Sequence, residues 1–186
     1  MPMCIEIEAK LRIASHKKVI ERLKKLGAKF VESQFHTDYY LDDAKSTLTK
    51  TDQCLRLRFR RSGKIEKTFL AYKGAREKGQ FKKRQEIDLE ISAGKAVEKL
   101  LSELGYKKVL VVKKSRQVWL FSGCEIALDR LPLLGKFVEI EGRNEKTIAA
   151  VQKKLGLADL QHIPESYATL VADKLHKKSK GNYEAG

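Results

Sequence analysis

Five segments of this sequence carry like charges two residues apart: Glu6/Glu8, Arg56/Arg58, Glu86/Asp88/Glu90, Lys114/Arg116 and Glu139/Glu141. A spacing of two puts each set on one face of an extended strand. Neighbouring like charges repel, so folding alone gains nothing from them. Their chemistries are complementary. Carboxylates are hard oxygen ligands of the kind Mg2+ and Mn2+ prefer, and these ions are commonly shared between protein carboxylates and phosphates. Arginine's planar fork matches phosphate oxygens, and lysine adds a compact point charge. Acidic and basic pairs gathered together could hold a polyphosphate and a divalent metal at once.

Such pairs need strands to present them. In Cys4–Ile13, Ile5, Ile7, Ala9, Leu11 and Ile13 alternate with Glu6, Glu8, Lys10 and Arg12, a period of two. The same alternation runs through residues 53–61 and 82–91. Further strands are expected over 28–41, from the Ser62-Gly63 turn to about Lys73, and over 107–114, 116–122, 124–131 and 137–142. Ser15 is the expected N-cap of a helix over 16–26 that stops at Gly27. Helices also fit 94–104, 144–155 and 165–177, and residues from Asp42 to about Thr51 read as a polar loop. Any one strand's charged face is explained by water on one side of a sheet. Acidic strands alternating with basic ones, with helices to cover the apolar faces, argue for a curled sheet. The expected fold is α+β: a closed antiparallel β-barrel of about eight strands forming a polar tunnel, with helices packed outside.

The bulk properties fit. At 186 residues and 42% hydrophobic, the chain suits one domain, taken as residues 1–178, with a basic tail over 179–186 expected to be disordered. No run of 18 apolar residues and no basic-then-apolar leader is visible, so the expectation is a cytoplasmic protein without a membrane partner. Cys4, Cys54 and Cys124 are far apart and odd in number, which fits reduced thiols better than a disulfide framework or a zinc site. The net charge of +15 favours polyanionic partners. A nucleic-acid face would not pair its cations with carboxylates, and no stacking platform is evident, so nucleic acid is the weaker partner. His16, His36, His162 and His176 lack metal-site spacing and read as surface or packing residues, with His36, beside Asp38, the one to watch.

Glu6-Ile7-Glu8-Ala9-Lys10 resembles the ExExK signature of the CYTH superfamily, the triphosphate tunnel metalloenzymes. The rest follows in family order. The resemblance implies a triphosphate held by Lys10, Arg56, Arg58, Lys73, Lys114 and Arg116. It implies Mg2+ or Mn2+ held among Glu6, Glu8, Glu86, Glu90, Asp129, Glu139 and Glu141, with Lys10, Glu8 and Asp129 in catalytic roles. His36-Thr37-Asp38-Tyr39-Tyr40, Cys124-Glu125-Ile126-Ala127-Leu128-Asp129 and Glu165-Ser166-Tyr167 are most similar to the class IV adenylyl cyclase branch. That branch implies conversion of ATP to cyclic AMP and pyrophosphate. Relatives that hydrolyse tripolyphosphate or thiamine triphosphate use the same cage, a polyphosphate or nucleic-acid binder is the non-enzyme alternative, and homodimerisation is compatible with the family. Asp88 departs from the pattern by adding a third acid between Glu86 and Glu90, either as a further ligand or to balance Arg84.

Overall fold

The computed structural model describes residues 4–77 and 81–181, and the side chains of all of these except residues 4–6, 82 and 178–181. Eight strands are found among them: β1 (Cys4–Ile13), β2 (Lys29–Asp42), β3 (Cys54–Ser62), β4 (Ile65–Lys73), β5 (Lys82–Ile91), β6 (Lys107–Phe121), β7 (Cys124–Leu131) and β8 (Gly135–Glu141). They close into an antiparallel barrel in the order β1-β5-β4-β3-β2-β6-β7-β8. β1 is the seam. Its first half pairs with β5 over Cys4–Glu8, and its second half pairs with β8 over Glu8–Ile13.

Five helices are found among the described residues: α1 (Lys17–Lys25), α2 (Thr47–Lys50), α3 (Gly94–Glu103), α4 (Glu145–Lys154) and α5 (Tyr167–Gly181). Three of them cover the apolar outside of the barrel. α1 supplies Val19 and Leu23, and α4 supplies Ile148 and Val151, with Leu155 just past its end, against Ala9, Leu11, Ile126, Leu128, Val138 and Ile140. α3 places Leu101 on Leu41 and Leu57. α5 is set differently. Its Tyr167 and Val171 pack with Val112 and Phe137, which share strand faces with Lys114 and Glu139, so the start of α5 stops one end of the lumen.

Several boundaries differ from the sequence reading. Residues 107–121 are one strand of 15 residues, not two, because β2 is 14 residues long and pairs with it continuously past Ser115. The barrel therefore has eight strands where the segments counted singly gave nine. The expected loop after Asp42 holds the single turn α2, whose nucleus is Asp42. That buried carboxylate accepts from the amides of Asp43, Leu48 and Thr49 and from the Thr49 hydroxyl. Ser15 does not cap α1. His16 occupies the N-cap with no side-chain bond, and Ser15 Oγ accepts from the Lys17 amide at 3.3 Å. α5 continues through Gly181, into the segment expected as a disordered tail, and residues 182–186 lie outside the described residues. Cys54 and Cys124 are free thiols, as expected, and Cys4 has no described side chain.

Candidate active site

Every strand of the barrel points alternate side chains inward, and the inward faces carry the paired charges. They surround a cavity of about 1180 Å³ lined by Glu8 and Lys10 from β1, Arg56 and Arg58 from β3, Lys73 from β4, Glu86 from β5, Lys114 and Arg116 from β6, and Glu139 and Glu141 from β8. Eight of those side chains rise from central strands whose partners on both sides are hydrogen-bonded, which fixes their height in the barrel to within a register step.

The cations are held from behind. Arg58 forms a two-point pair with Asp38, at 2.7 Å from Nε to Oδ1 and 2.7 Å from Nη2 to Oδ2. Arg116 does the same with Asp129, at 2.7 and 2.6 Å, and reaches Glu139. Lys114 Nζ joins Asp129 Oδ2 at 2.8 Å. Across the lumen Lys73 meets Glu86 at 2.6 Å, with Arg56 at 3.7 Å from the same carboxylate. Lys10 lies 3.4 Å from Glu139 and 3.9 Å from Glu8, donates to the Glu165 carbonyl at 2.9 Å, and sits 4.3 Å from the centre of the Tyr167 ring. Lys114 is 4.8 Å from the same ring. Arg56 Nε is buried with no hydrogen-bond partner among the described residues.

This ordered cage agrees with what the chain resembles. The profile of the CYTH domain family matches residues 4–167. The chain belongs to the CYTH domain family. A Methanocaldococcus jannaschii protein named "putative adenylate cyclase" is 33% identical over 150 residues, 81% of this chain and 81% of that protein. The solved structure of the PH1819 protein from Pyrococcus horikoshii superposes with a TM-score of 0.78 at 30% identity, covering 91% of this chain and 99% of that one. A Hippeastrum "putative adenylyl cyclase" whose structure reveals a dominant triphosphatase activity superposes with a TM-score of 0.73, covering 90% of this chain and 95% of that one; at 17% identity it bears on the fold alone.

Within the CYTH barrel the expected site residues do not all meet. Asp129 is fully buried and does not line the cavity; three charge-assisted hydrogen bonds occupy its oxygens, so the geometry makes it an anchor for Lys114 and Arg116 instead of an open metal ligand. Glu90 shares a face with Glu86, but β5 carries it past the lumen, where it pairs with exposed Lys67 at 2.9 Å. Asp88 lines the cavity and is exposed. The Glu6 side chain lies outside the described residues. The remaining expected residues are brought together.

Burial and charge compete at the anchors. Burial pushes the Asp38 carboxyl up, but Arg58, with Arg56 and Lys114 beyond it, holds it below the ordinary carboxylate range. Asp129 behaves likewise beneath Arg116 and Lys114. Lys114 pays the opposite way: burial, and then the adjacent Arg116, push it down to about 8.

Two groups join the site that the like-charge spacing did not pick out, the second around His36. Glu125 lines the cavity and stands opposite Glu141, which stands opposite Glu8, making an acidic row across β7, β8 and β1. Its spacing of four from Asp129 was the available signal. Like charges directly opposite oppose folding unless a cation offsets them, and oxygen donors fit Mg2+ or Mn2+. Among the described residues no three acidic, histidine or cysteine side chains are drawn together into a ready cage. The second group, Glu32, Gln34 and His36, forms the polar face of β2. Among the described residues no helix is long and apolar enough to cross a membrane.

Proposed function

We propose that this chain is a metal-dependent enzyme that processes a triphosphate in the barrel lumen, converting ATP to cyclic AMP and pyrophosphate. The observation that carries the triphosphate reading is the cage of Lys10, Arg56, Arg58, Lys73, Lys114 and Arg116 around one cavity, with the buried Arg56 Nε–H still without an acceptor. A buried guanidinium N–H left unpaired is costly, and a phosphate oxygen satisfies it. The cyclase form is supported by the identity to the Methanocaldococcus jannaschii relative.

In this reading the cations grip the phosphate chain while Asp38 and Asp129 keep Arg58, Lys114 and Arg116 aimed inward. The ribose 3′-hydroxyl attacks the α-phosphorus and pyrophosphate leaves. The acceleration comes from orientation of a tethered nucleophile and from fixed positive charge on the phosphate oxygens. Glu6, Glu8, Glu139 and Glu141 would hold the divalent ion, with Glu125 beside them. When bound, that ion supplies charge neutralisation on the phosphates. Lys10, between Glu8 and Glu139, would stabilise the leaving group.

Hydrolysis of a triphosphate is the second reading, favoured by one observation. Two of the aromatic rings lining the cavity are already covered by cations, Phe69 by Arg60 and Tyr167 by Lys10 and Lys114, which leaves little surface for stacking a base. The test is incubation with ATP or tripolyphosphate, with Mg2+ or Mn2+, followed by anion-exchange separation, beside a Glu6→Ala/Glu8→Ala double variant. Cyclic AMP and pyrophosphate, lost in the variant, support the cyclase. Orthophosphate without cyclic AMP supports the hydrolase. Neither turnover nor binding would sink both.

A further inference from the structure

On the inner face of β2, three side chains are linked in a row. Gln34 Nε2 donates to Glu32 Oε1 at 2.7 Å. A carboxylate only accepts, so this bond fixes the Gln34 amide with its oxygen turned the other way. That oxygen lies 2.7 Å from His36 Nε2. It also only accepts, so Nε2 carries the imidazole proton and Nδ1 is left as a bare lone pair. His36 is 2% exposed and lines the cavity, and Nδ1 has no hydrogen-bond partner among the described residues.

The neighbours make this lone pair unusual. His36 stands opposite Lys114 on β6 and Arg60 on β3. Burial, and then Arg58, Lys114 and Arg116, keep the ring neutral, against the weaker pull of Asp38. The charged ends of Arg58, Arg60, Lys114 and Arg116 around it all donate hydrogen bonds. A deprotonated phosphate oxygen suits those donors and would be repelled by Nδ1. A hydroxyl suits Nδ1, because it brings the hydrogen that the lone pair lacks.

We propose that His36 Nδ1 is the acceptor that holds the attacking hydroxyl in this barrel, water or the ribose 3′-hydroxyl, and takes its proton during attack. The inference rests on the triphosphate-processing reading above. In the step, the hydroxyl oxygen bonds to phosphorus. The bond from phosphorus to the leaving polyphosphate breaks, with its electron pair staying on the leaving oxygen. The proton moves to Nδ1 and is released to solvent once product departs. A bound polyanion offsets Arg58, Lys114 and Arg116 and so raises the proton affinity of the ring when substrate is present.

The discriminating comparison is His36→Asn against His36→Gln, with His36→Ala beside them. Asparagine can place its oxygen near where Nδ1 stood, whereas glutamine reaches where Nε2 stood and keeps the bond to Gln34. We measure kcat and KM for cyclic AMP formation from ATP and for orthophosphate release from tripolyphosphate, tripolyphosphate affinity by calorimetry, and melting temperature. The expected result is a kcat lower by roughly 100-fold or more in His36→Ala and His36→Gln. KM and affinity should stay within about threefold, and His36→Asn should keep at least about tenfold more activity than His36→Gln. Whichever product falls identifies the hydroxyl as water or ribose. If His36→Gln is as active as wild type, or exceeds His36→Asn, the residue only packs, and the inference is overturned while the proposed function stands. If KM rises with kcat unchanged, His36 binds substrate and does not take the proton. Wild type turning over neither substrate removes the proposed function, and this inference with it. Should His36→Ala not fold, the asparagine and glutamine pair decides alone.

Discussion

Asp129→Asn removes one charge and almost no volume from the most enclosed ion cluster of the barrel. Lys114, Arg116 and Asp129 have side-chain exposures of 3%, 13% and 0%. Asparagine would leave the lysine and the arginine facing each other with Glu139 as the nearby acid. Removing one partner from a buried pair costs about 3–5 kcal/mol, because the stranded charge keeps its desolvation penalty. For a chain of this size each kcal/mol moves the melting temperature by about 2–4 °C, so the expected fall is roughly 6–20 °C. Thermal unfolding followed by circular dichroism reads it. The sign with pH is set by the depressed Asp129 carboxyl: the stability it adds is full above the ordinary carboxylate value and is lost only as pH falls through the lower folded value. The gap between variant and wild type should therefore stay constant at neutral pH and close in strong acid. At equal tripolyphosphate concentration the variant should gain more stability than the wild type, because the anion replaces the lost charge and binds the variant with a lower Kd. A shift under about 2 °C at neutral pH would refute the view that Asp129 anchors two desolvated cations.

Three further outcomes follow from the structure. Lys114, pushed down to about 8, sheds its charge in the empty lumen above that pH, and a bound polyanion draws the proton back. Affinity for ATP in metal-free buffer should therefore hold below pH 8 and weaken above it by up to about tenfold per pH unit, measured by calorimetry. Over the same range the empty protein should gain stability, since the unfolded lysine keeps its proton to a higher pH. Leu23→Ala, at a fully buried side chain of α1 outside the barrel lumen, should cost about 2–5 kcal/mol yet leave kcat unchanged well below the melting temperature.

The strands and their inner faces were legible because period two survives in the sequence, as in Arg56, Arg58 and their apolar neighbours Leu55 and Leu57. Pairing was not. Nothing local says that β1 divides its length between β5 and β8, since those contacts are made far along the chain. Ser115 read as a break because small polar residues favour turns, yet its neighbours continue the alternation and β2 supplies the partner that decides the matter. α2 has one apolar residue, Leu48, and forms because Asp42 collects its amides, a contact no stripe encodes. The charges of the site could be named from their spacing, but not their depth. Glu86 and Glu90 share a face, and only the length of the lumen separates a residue paired inside from one paired in water. Glu32 and Gln34 keep the spacing of His36, the histidine that the sequence singles out, but one carboxylate beside an uncharged amide makes no like-charge pair.

The seam at β1 also bears on the order of assembly. Lys10 receives its Glu139 and Tyr167 neighbours from the last third of the chain, and the Glu165 carbonyl that it binds lies 155 positions away. Contacts so distant in sequence form late, because the entropy of closing the intervening loop must be met first. An unclosed sheet would already display the arginines of β3 and the lysine of β4 while lacking the acidic wall that faces them. In that state the chain is an open cationic surface, drawn to any polyanion nearby. Docking β8 onto β1 turns it into a receptacle with a defined lining, so the step that completes folding is also the step that creates selectivity.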